Sequence, residues 1–302
     1  MSMMFSCCYS DSADWAKGTL HVHTDNSPCG HYPVRTVCDL YFGRIMKYDF
    51  IAITDHMLRT PVPEWGDGRT IFSGEEFKRH DKQILGIGIG DIPDDPDRLD
   101  NHQQIIDEVN RQHGIAVLCH PHLYGDDYWS LEESLALMGY SGIEIYNHNE
   151  KMNQAGRAVA SDLWDSLLSA GRKVWGFSSD DMHHCSRVGG GYIRVQRNSG
   201  ERLLDAIRDG HFYSSTGLDA DSYSFDDDII AIRLRNKSEA RISYRVIADG
   251  IAVMAGDISS GTLLLDASTF KEKVRRYFRV EAMRDDGAYI WFQPHFRMED
   301  RT

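Results

Sequence analysis

The chain has 302 residues, 41% of them hydrophobic, enough to bury one large α/β domain plus a smaller one. No run reaches the roughly 18 apolar residues of a membrane helix, residues 1–10 lack the basic and apolar regions of a secretory leader, and a net charge of −13 with no basic run disfavours nucleic acid and membranes as partners. Six cysteines without a CxxC spacing point to free thiols in a reducing cytoplasm.

Short apolar runs alternate with amphipathic stretches through about residue 210. Residues 19–22 read as a strand ending in histidines. Residues 34–47 have helical spacing, with Val37, Leu40, Tyr41 and Ile45 on one face. Further strands are expected at 50–54, 84–89, 115–119, 142–146 and 174–178. Helices are expected at 99–113, 130–138, 154–170 and 201–209, with Gly114 and Gly171 as left-handed C-terminal residues. Strands alternating with helices predict parallel βα units. Beyond Thr216 the character changes. Residues 219–228 read as an acidic linker, and short strands follow at 229–234, 240–248, 251–254, 262–265 and 277–283. Asp249-Gly250 and Asp286-Gly287 suit tight hairpins.

Chemistry-bearing residues cluster just after the expected strands, where α/β barrels keep their sites. His21-Val-His23 places two imidazoles on one side of a strand. Asp55-His56 can supply a ligand and the group that orients it, or Asp55 can cap a helix. His120-Pro121-His122 follows another strand, and Asp181-x-His183 lies in the run Ser178-Ser-Asp-Asp-Met-His-His184. Taken singly, each pair is as readily a structural histidine or a solvated loop. Together they would build one polynuclear site, and imidazole with carboxylate suits zinc, manganese or iron(II) rather than calcium.

In this order, H-x-H, T-D-H, G-x-E, H-P-H and S-D-D-x-H, the chain resembles the PHP family, named for polymerase and histidinol phosphatase, over residues 15–216. Glu144-Ile-Tyr-Asn147, Leu163-Trp164-Asp165, Leu167-Leu168, Gly171 and Trp291-Phe-Gln-Pro294 resemble its branch containing a carbaryl-type hydrolase. The resemblance implies an α/β protein: a distorted (β/α)7 barrel over residues 1–216, followed by a small antiparallel β-sandwich over 217–302. It also implies two or three divalent ions. By position His21, His23, His56, Glu76, His120, Asp181 and His183 match the family's ligands. Glu75 replaces Glu76 if the register slips by one, and a solvated carboxylate at a helix start is the alternative for either. The chain departs from the pattern at Cys29, which stands where an Asp is common, with Asp25 and His31 nearby. It departs again at Gln83, where a histidine is often found, with His80 upstream.

The activity so implied is hydrolysis of a small phosphorylated substrate by a metal-bridging hydroxide. Leaving-group protonation falls to an imidazole outside the ligand set, His122 or His184. Arg187, followed by Gly189-Gly190-Gly191, can hold a substrate phosphate or be an ordinary surface cation. Two other functions compete: carboxyl, carbamate or amide ester hydrolysis at the same centre, and a non-catalytic binding module.

Overall fold

The computed structural model describes residues 5–10, 14–90, 99–198, 200–235, 240–258 and 261–298; residues 1–4 of the N-terminal stretch read above lie outside them. In chain order the elements are β1 (Trp15–Thr19), α1 (Val34–Phe42), β2 (Phe50–Ile53), β3 (Thr70–Arg79), β4 (Lys82–Ile87), α2 (His102–Arg111), β5 (Ile115–Leu118), α3 (Leu131–Ala136), β6 (Gly142–Asn147), α4 (His148–Asn153), α5 (Ser161–Ser169), β7 (Trp175–Ser179), β8 (Tyr192–Gln196), α6 (Leu203–Arg208) and β9 (Phe212–Ser215). Then follow β10 (Asp219–Asp226), β11 (Ile229–Arg235), β12 (Ile242–Ala248), β13 (Ile251–Ile258), β14 (Thr262–Asp266), β15 (Tyr277–Arg284), β16 (Tyr289–Phe292) and β17 (His295–Phe296). Among the described residues no helix is long and apolar enough to cross a membrane. The chain forms two compact units: residues 16–164 with 176–193, and residues 1–15 with 165–175 and 194–302.

In the first unit the strands run in the order β1 to β7. β1, β2 and β3 are parallel, as are β5 and β6. The short apolar strands β2 and β5 are wholly buried, as strands covered on both faces must be. Gly18 pairs with Phe50, and a Cβ there would meet the Phe50 ring at 2.4 Å, so only glycine fits. Beyond the ends of β1 and β7 a parallel bridge joins Val22 to Met182.

The uniform parallel order expected from the sequence is corrected in one place. β3 is an unexpected ten-residue strand, and β4 runs antiparallel to both β3 and β5. The β3–β4 hairpin turns on His80 and Asp81, both left-handed (φ 46° and 65°), a conformation that asparagine or glycine usually signals. The antiparallel direction brings the start of β4, with Gln83, to the rim where β3 and β5 end. The left-handed residue closing α2 is His113 (φ 58°) rather than Gly114, whereas Gly171 (φ 91°) holds its expected place.

The second unit is β-rich. One antiparallel sheet runs β13-β12-β15-β16-β9, with β17 also on β15; another runs β10-β11-β14. A single apolar core draws Val246, Val280 and Ile290 from one sheet and Tyr223, Ile232 and Leu263 from the other. The expected linker at 219–228 is instead strand β10 and a turn through Asp227 and Asp228, left-handed without glycine (φ 44° and 67°). The β12–β13 hairpin turns on Asp249-Gly250 as expected.

Candidate metal centre

The rim residues converge. His21 and His23 follow β1, and their Nε2 atoms lie 3.1 Å apart. His21 Nδ1 lies 2.7 Å from Glu144 Oε1, and His23 Nδ1 lies 3.0 Å from Ser27 Oγ. Both rings are thereby oriented to present Nε2 to one point. Asp181 Oδ1, just beyond β7, is 3.2 Å from each of those nitrogens. Glu76, on β3, reaches four imidazoles: Oε1 is 3.4 Å from His21 and 3.2 Å from His120, and Oε2 is 3.4 Å from His23 and 2.7 Å from His56. His183 closes the ring, with Nδ1 3.4 Å from Asp181 Oδ1 and its imidazole stacked 4.2 Å from that of His23. All seven residues singled out by position therefore meet at one place.

Glu76 sits in a strand, which removes the helix-start alternative. Its neighbour Glu75 points to the opposite face, near Arg59 and Arg79, where burial pushes its carboxyl up to about 7. Backbone strain marks the same place: His120 (φ 27°) and Asp181 (φ 48°) are left-handed non-glycine residues.

The electrostatics show what the cluster lacks. Burial works to raise the carboxyl pKa of Asp181, but His21, His183 and His23 hold it well below the usual range. Glu76 is likewise lowered despite burial, by His21, His120 and His56. Burial opposes protonation of His21, yet Asp181, Glu144 and Glu76 raise it well above the usual imidazole value. Against the same burial, Cys29 and Glu76 raise His56 to about 10, and Asp181 and Cys29 raise His183 to about 9. The buried carboxylates and four of the imidazoles thus favour each other's charged forms, whereas burial lowers His23 to about 4. Glu76 Oε2, Asp181 Oδ1 and His120 Nδ1 are nonetheless buried without a properly directed hydrogen bond. Lone pairs that crowd one point without bonding each other suit divalent ions, which would displace the imidazole protons.

Several residues that the sequence named without assigning partners hold the site. Glu144 receives His21, the Ser179 hydroxyl (2.5 Å), the His120 N–H (2.8 Å) and the Asn147 amide (3.0 Å). Asp55 caps no helix: it accepts from Thr24 N–H (2.7 Å), Thr24 Oγ1 (2.6 Å), Ser27 Oγ (2.6 Å) and Thr60 Oγ1, tying down the loop after the two histidines. Gln83 Nε2 lies 3.2 Å from His56 Nδ1. Asp25 and His31 are exposed and outside the converging groups.

The residues proposed for chemistry are placed differently. Both ring nitrogens of His122 are engaged, Nε2 with Asp162 (3.0 Å) and Arg157 (2.9 Å), Nδ1 with the Asp126 carbonyl (3.3 Å). His184 is exposed, and its Nδ1 accepts the Ser186 N–H (3.2 Å). Arg187 donates through Nε to Asn149 (3.2 Å) and through one terminal nitrogen to Asn153 (2.6 Å). The glycine run is committed to the protein's own carboxylate: the N–H groups of Gly189 and Gly191 donate to Asp180, each at 2.8 Å.

Fold and site together define a mixed α/β body, with a histidine–carboxylate cluster, joined in one chain to a β-rich unit. That fold is shared with the crystal structure of a two-domain protein containing a predicted PHP-like metal-dependent phosphoesterase from Bacteroides vulgatus: TM-score 0.52, 13% identity, 97% of this chain and 90% of that one. PsfC from Pseudomonas syringae matches with TM-score 0.42 and 12% identity over 65% of this chain and 87% of that one. No protein-family model matches the chain, and no curated protein matches it by sequence.

Proposed function

We propose that this chain is a metal-dependent hydrolase of the PHP type, acting on the phosphoric ester of a small molecule. In this reading β1–β7 form the distorted barrel, residues 1–216 carry the catalytic body, and residues 217–302 form an accessory β-sandwich. The single observation carrying it is that five imidazoles converge on Glu76 and Asp181, each with a buried oxygen that no hydrogen bond satisfies.

His21, His23, His56, Glu76, His120, Asp181 and His183 are the ligands in this reading, for two or three ions of zinc, manganese or iron. Bound there, such ions would activate water and neutralise charge on a phosphoryl oxygen. The protein's own groups do the rest. Glu144 and Ser27 lock the tautomers of His21 and His23. Asn147 and Asn149 donate to Asp181 Oδ2 (3.2 and 3.4 Å), fixing which oxygen faces the cluster. His122, tied to Asp162 and Arg157, is held away from proton transfer, so donation to the leaving oxygen passes to Nε2 of His184. Arg187 keeps one terminal nitrogen uncommitted for a phosphate oxygen.

The test is metal-reconstituted protein against phosphomonoesters and phosphodiesters, with bound metal measured by elemental analysis. Turnover that His184→Ala lowers and His122→Asn leaves largely intact agrees with the assignment. Full loading with no turnover of any phosphoester would refute phosphoester chemistry. The engagement of Arg157 and Arg187 by neighbouring side chains favours a second reading, hydrolysis of a carboxyl, carbamate or amide ester, because a planar carbonyl needs no cationic clamp. Carbamate and aryl-ester substrates in the same panel separate the two.

A further inference from the structure

The cluster has a closed end. His21, Glu76 and His120 are at most 4% exposed as side chains, whereas His183 is 18% and His56 27% exposed. One more donor stands at the closed end. Cys119 is fully buried, and its sulfur, a carboxylate oxygen of Glu76 and a ring nitrogen of His120 all lie within 4.8 Å of one another. Glu76 also belongs to a group with His21 and His23, so the Cys119 group is a second seat sharing that carboxylate. Cys29, which stands where the resembled family has an Asp, is exposed and outside every such group among the described residues.

The backbone explains how Cys119 reaches this place. Its N–H donates to the Gln83 carbonyl (3.2 Å), which continues the β4–β5 ladder one residue past the end of β5. In an extended chain, neighbouring side chains point to opposite faces, which would part Cys119 from His120. The left-handed φ of His120 (27°) breaks that alternation, and both side chains reach Glu76. A strained backbone is thus kept where it sets two adjacent donors on one point.

A buried cysteine is not in itself a site. The second observation is His120: it is 4% exposed, its Nε2 lies 3.2 Å from Glu76 Oε1, and its Nδ1 is buried without a hydrogen bond. The Cys119 sulfur lies 3.9 Å from the Val117 carbonyl oxygen, a long contact for its one proton. Buried polar atoms left unmet in this way point to a missing ligand. We propose that Cys119 is a metal ligand, its sulfur completing with Glu76 and His120 a seat for a thiophilic divalent ion at the closed end of the cluster. The inference rests on the reading of the cluster as a metal centre, and it narrows the choice of ion: thiolate favours zinc over magnesium or manganese. Burial pushes the free thiol's pKa up, so its proton stays until a cation arrives. The sulfur–metal bond then forms as the S–H bond breaks, and the proton leaves to solvent.

The test reloads the metal-stripped full chain with zinc alone and records X-ray absorption at the zinc edge. Wild type should show a sulfur scatterer at about 2.3 Å beside the nitrogen and oxygen shell, a readout independent of any variant's folding. Cys119→Ser should lose the sulfur scatterer, whereas Cys29→Ser and Cys185→Ser should keep it. In chelator competition Cys119→Ser should lower zinc affinity about 10-fold or more, the least that loss of an outer-shell partner costs. Its manganese affinity should fall much less, because manganese gains little from sulfur. Fully loaded wild type without sulfur, a sulfur scatterer that survives Cys119→Ser, or equal losses of zinc and manganese affinity overturns the Cys119 assignment and leaves the metal centre standing. No uptake of zinc or manganese by wild type overturns both.

Discussion

Replacing Asp181 with Asn is the sharpest probe of the metal centre. The change keeps the side chain's volume and its contact with Asn149, but removes the charge whose Oδ1 lies 3.2 Å from His21 and His23 and 3.4 Å from His183. An ion bound only by the folded state, at 1,000 times its dissociation constant, adds about 4.1 kcal/mol of stability. At 2–4 °C per kcal/mol for a body of 150–250 residues, wild type should gain roughly 8–16 °C in Tm per ion. Breaking a buried charge pair costs about 3–5 kcal/mol. A loss near 4 kcal/mol is about a 1,000-fold drop in affinity. The same metal concentration then only equals the new dissociation constant, and the gain shrinks to about 0.4 kcal/mol, or roughly 1–2 °C. The assay is differential scanning fluorimetry across zinc and manganese concentrations, with Glu75→Gln, on the other face of β3, as a control that should keep the wild-type response. An Asp181→Asn protein that responds to metal as wild type does would remove Asp181 from the ligand set.

His295 is fully buried, with Nε2 2.5 Å from the Tyr223 hydroxyl and Nδ1 2.8 Å from the Ser6 carbonyl, and burial lowers its pKa from 6.5 to about 4. The folded state therefore binds this proton less readily than the unfolded one, so stability falls as pH drops from about 6.5 towards 4. The loss approaches about 3 kcal/mol at 1.36 kcal/mol per unit; denaturant unfolding of His295→Asn should show a correspondingly flatter pH profile, and an unchanged slope would count against the assignment. Gly18→Ala forces a methyl into the Phe50 ring and should cost about 1–3 kcal/mol, read by urea midpoint. Gly30→Ala collides with backbone rather than a ring, and should cost more than Gly18→Ala in the same urea midpoint. Arg279, 1% exposed, donates to both oxygens of Asp165 (2.7 Å each) and to Glu281 (2.6 Å). Arg279→Met leaves two carboxylates without that partner and should lower stability by about 3–5 kcal/mol, whereas a loss under 1 kcal/mol would show the network to be dispensable.

What the sequence made legible follows from which signals are local. The strands β2, β4, β5, β6 and β7 were found because short apolar runs carry their own boundaries, whereas the run expected at 19–22 begins where β1 ends. β3 was missed because its first half is only half-buried, its interior-facing glutamate looks like a surface residue, and its turn uses His80-Asp81 without glycine. β10 was missed for the same reason: its acidic residues face outward while Ala220 and Tyr223 carry the core, and the turn at Asp227-Asp228 has no glycine either. The ligand set was legible because the order of its short motifs resembles that of the PHP family; His21 and His23 themselves follow β1 rather than lie in it. The roles of Asp55, Asp180 and Glu144 were not, because much of what each carboxylate accepts comes from distant chain: Ser27 is 28 residues from Asp55, Gly191 11 from Asp180 and His21 123 from Glu144.

That dependence supplies a criterion for telling ligands from scaffolding. Six buried carboxylates lie in or beside the site. Asp55 collects four donors, Asp180 the N–H groups of Gly189 and Gly191 with the Tyr41 hydroxyl, and Glu144 four groups of its own; no oxygen of these three is left without a partner. A satisfied carboxylate has no lone pair to offer an ion, so these three hold the frame. Glu76 and Asp181 each keep one oxygen unpartnered while imidazole nitrogens crowd it, as a ligand must before its ion arrives. Glu150, 4% exposed, also has an unpartnered oxygen, but no imidazole pairs with it among the described residues, and burial raises its pKa. It meets one condition and fails the other. Glu150→Gln should therefore leave metal stoichiometry unchanged where Glu76→Gln lowers it, and equal losses in the two variants would show that an unpartnered buried oxygen alone is enough to make a ligand here.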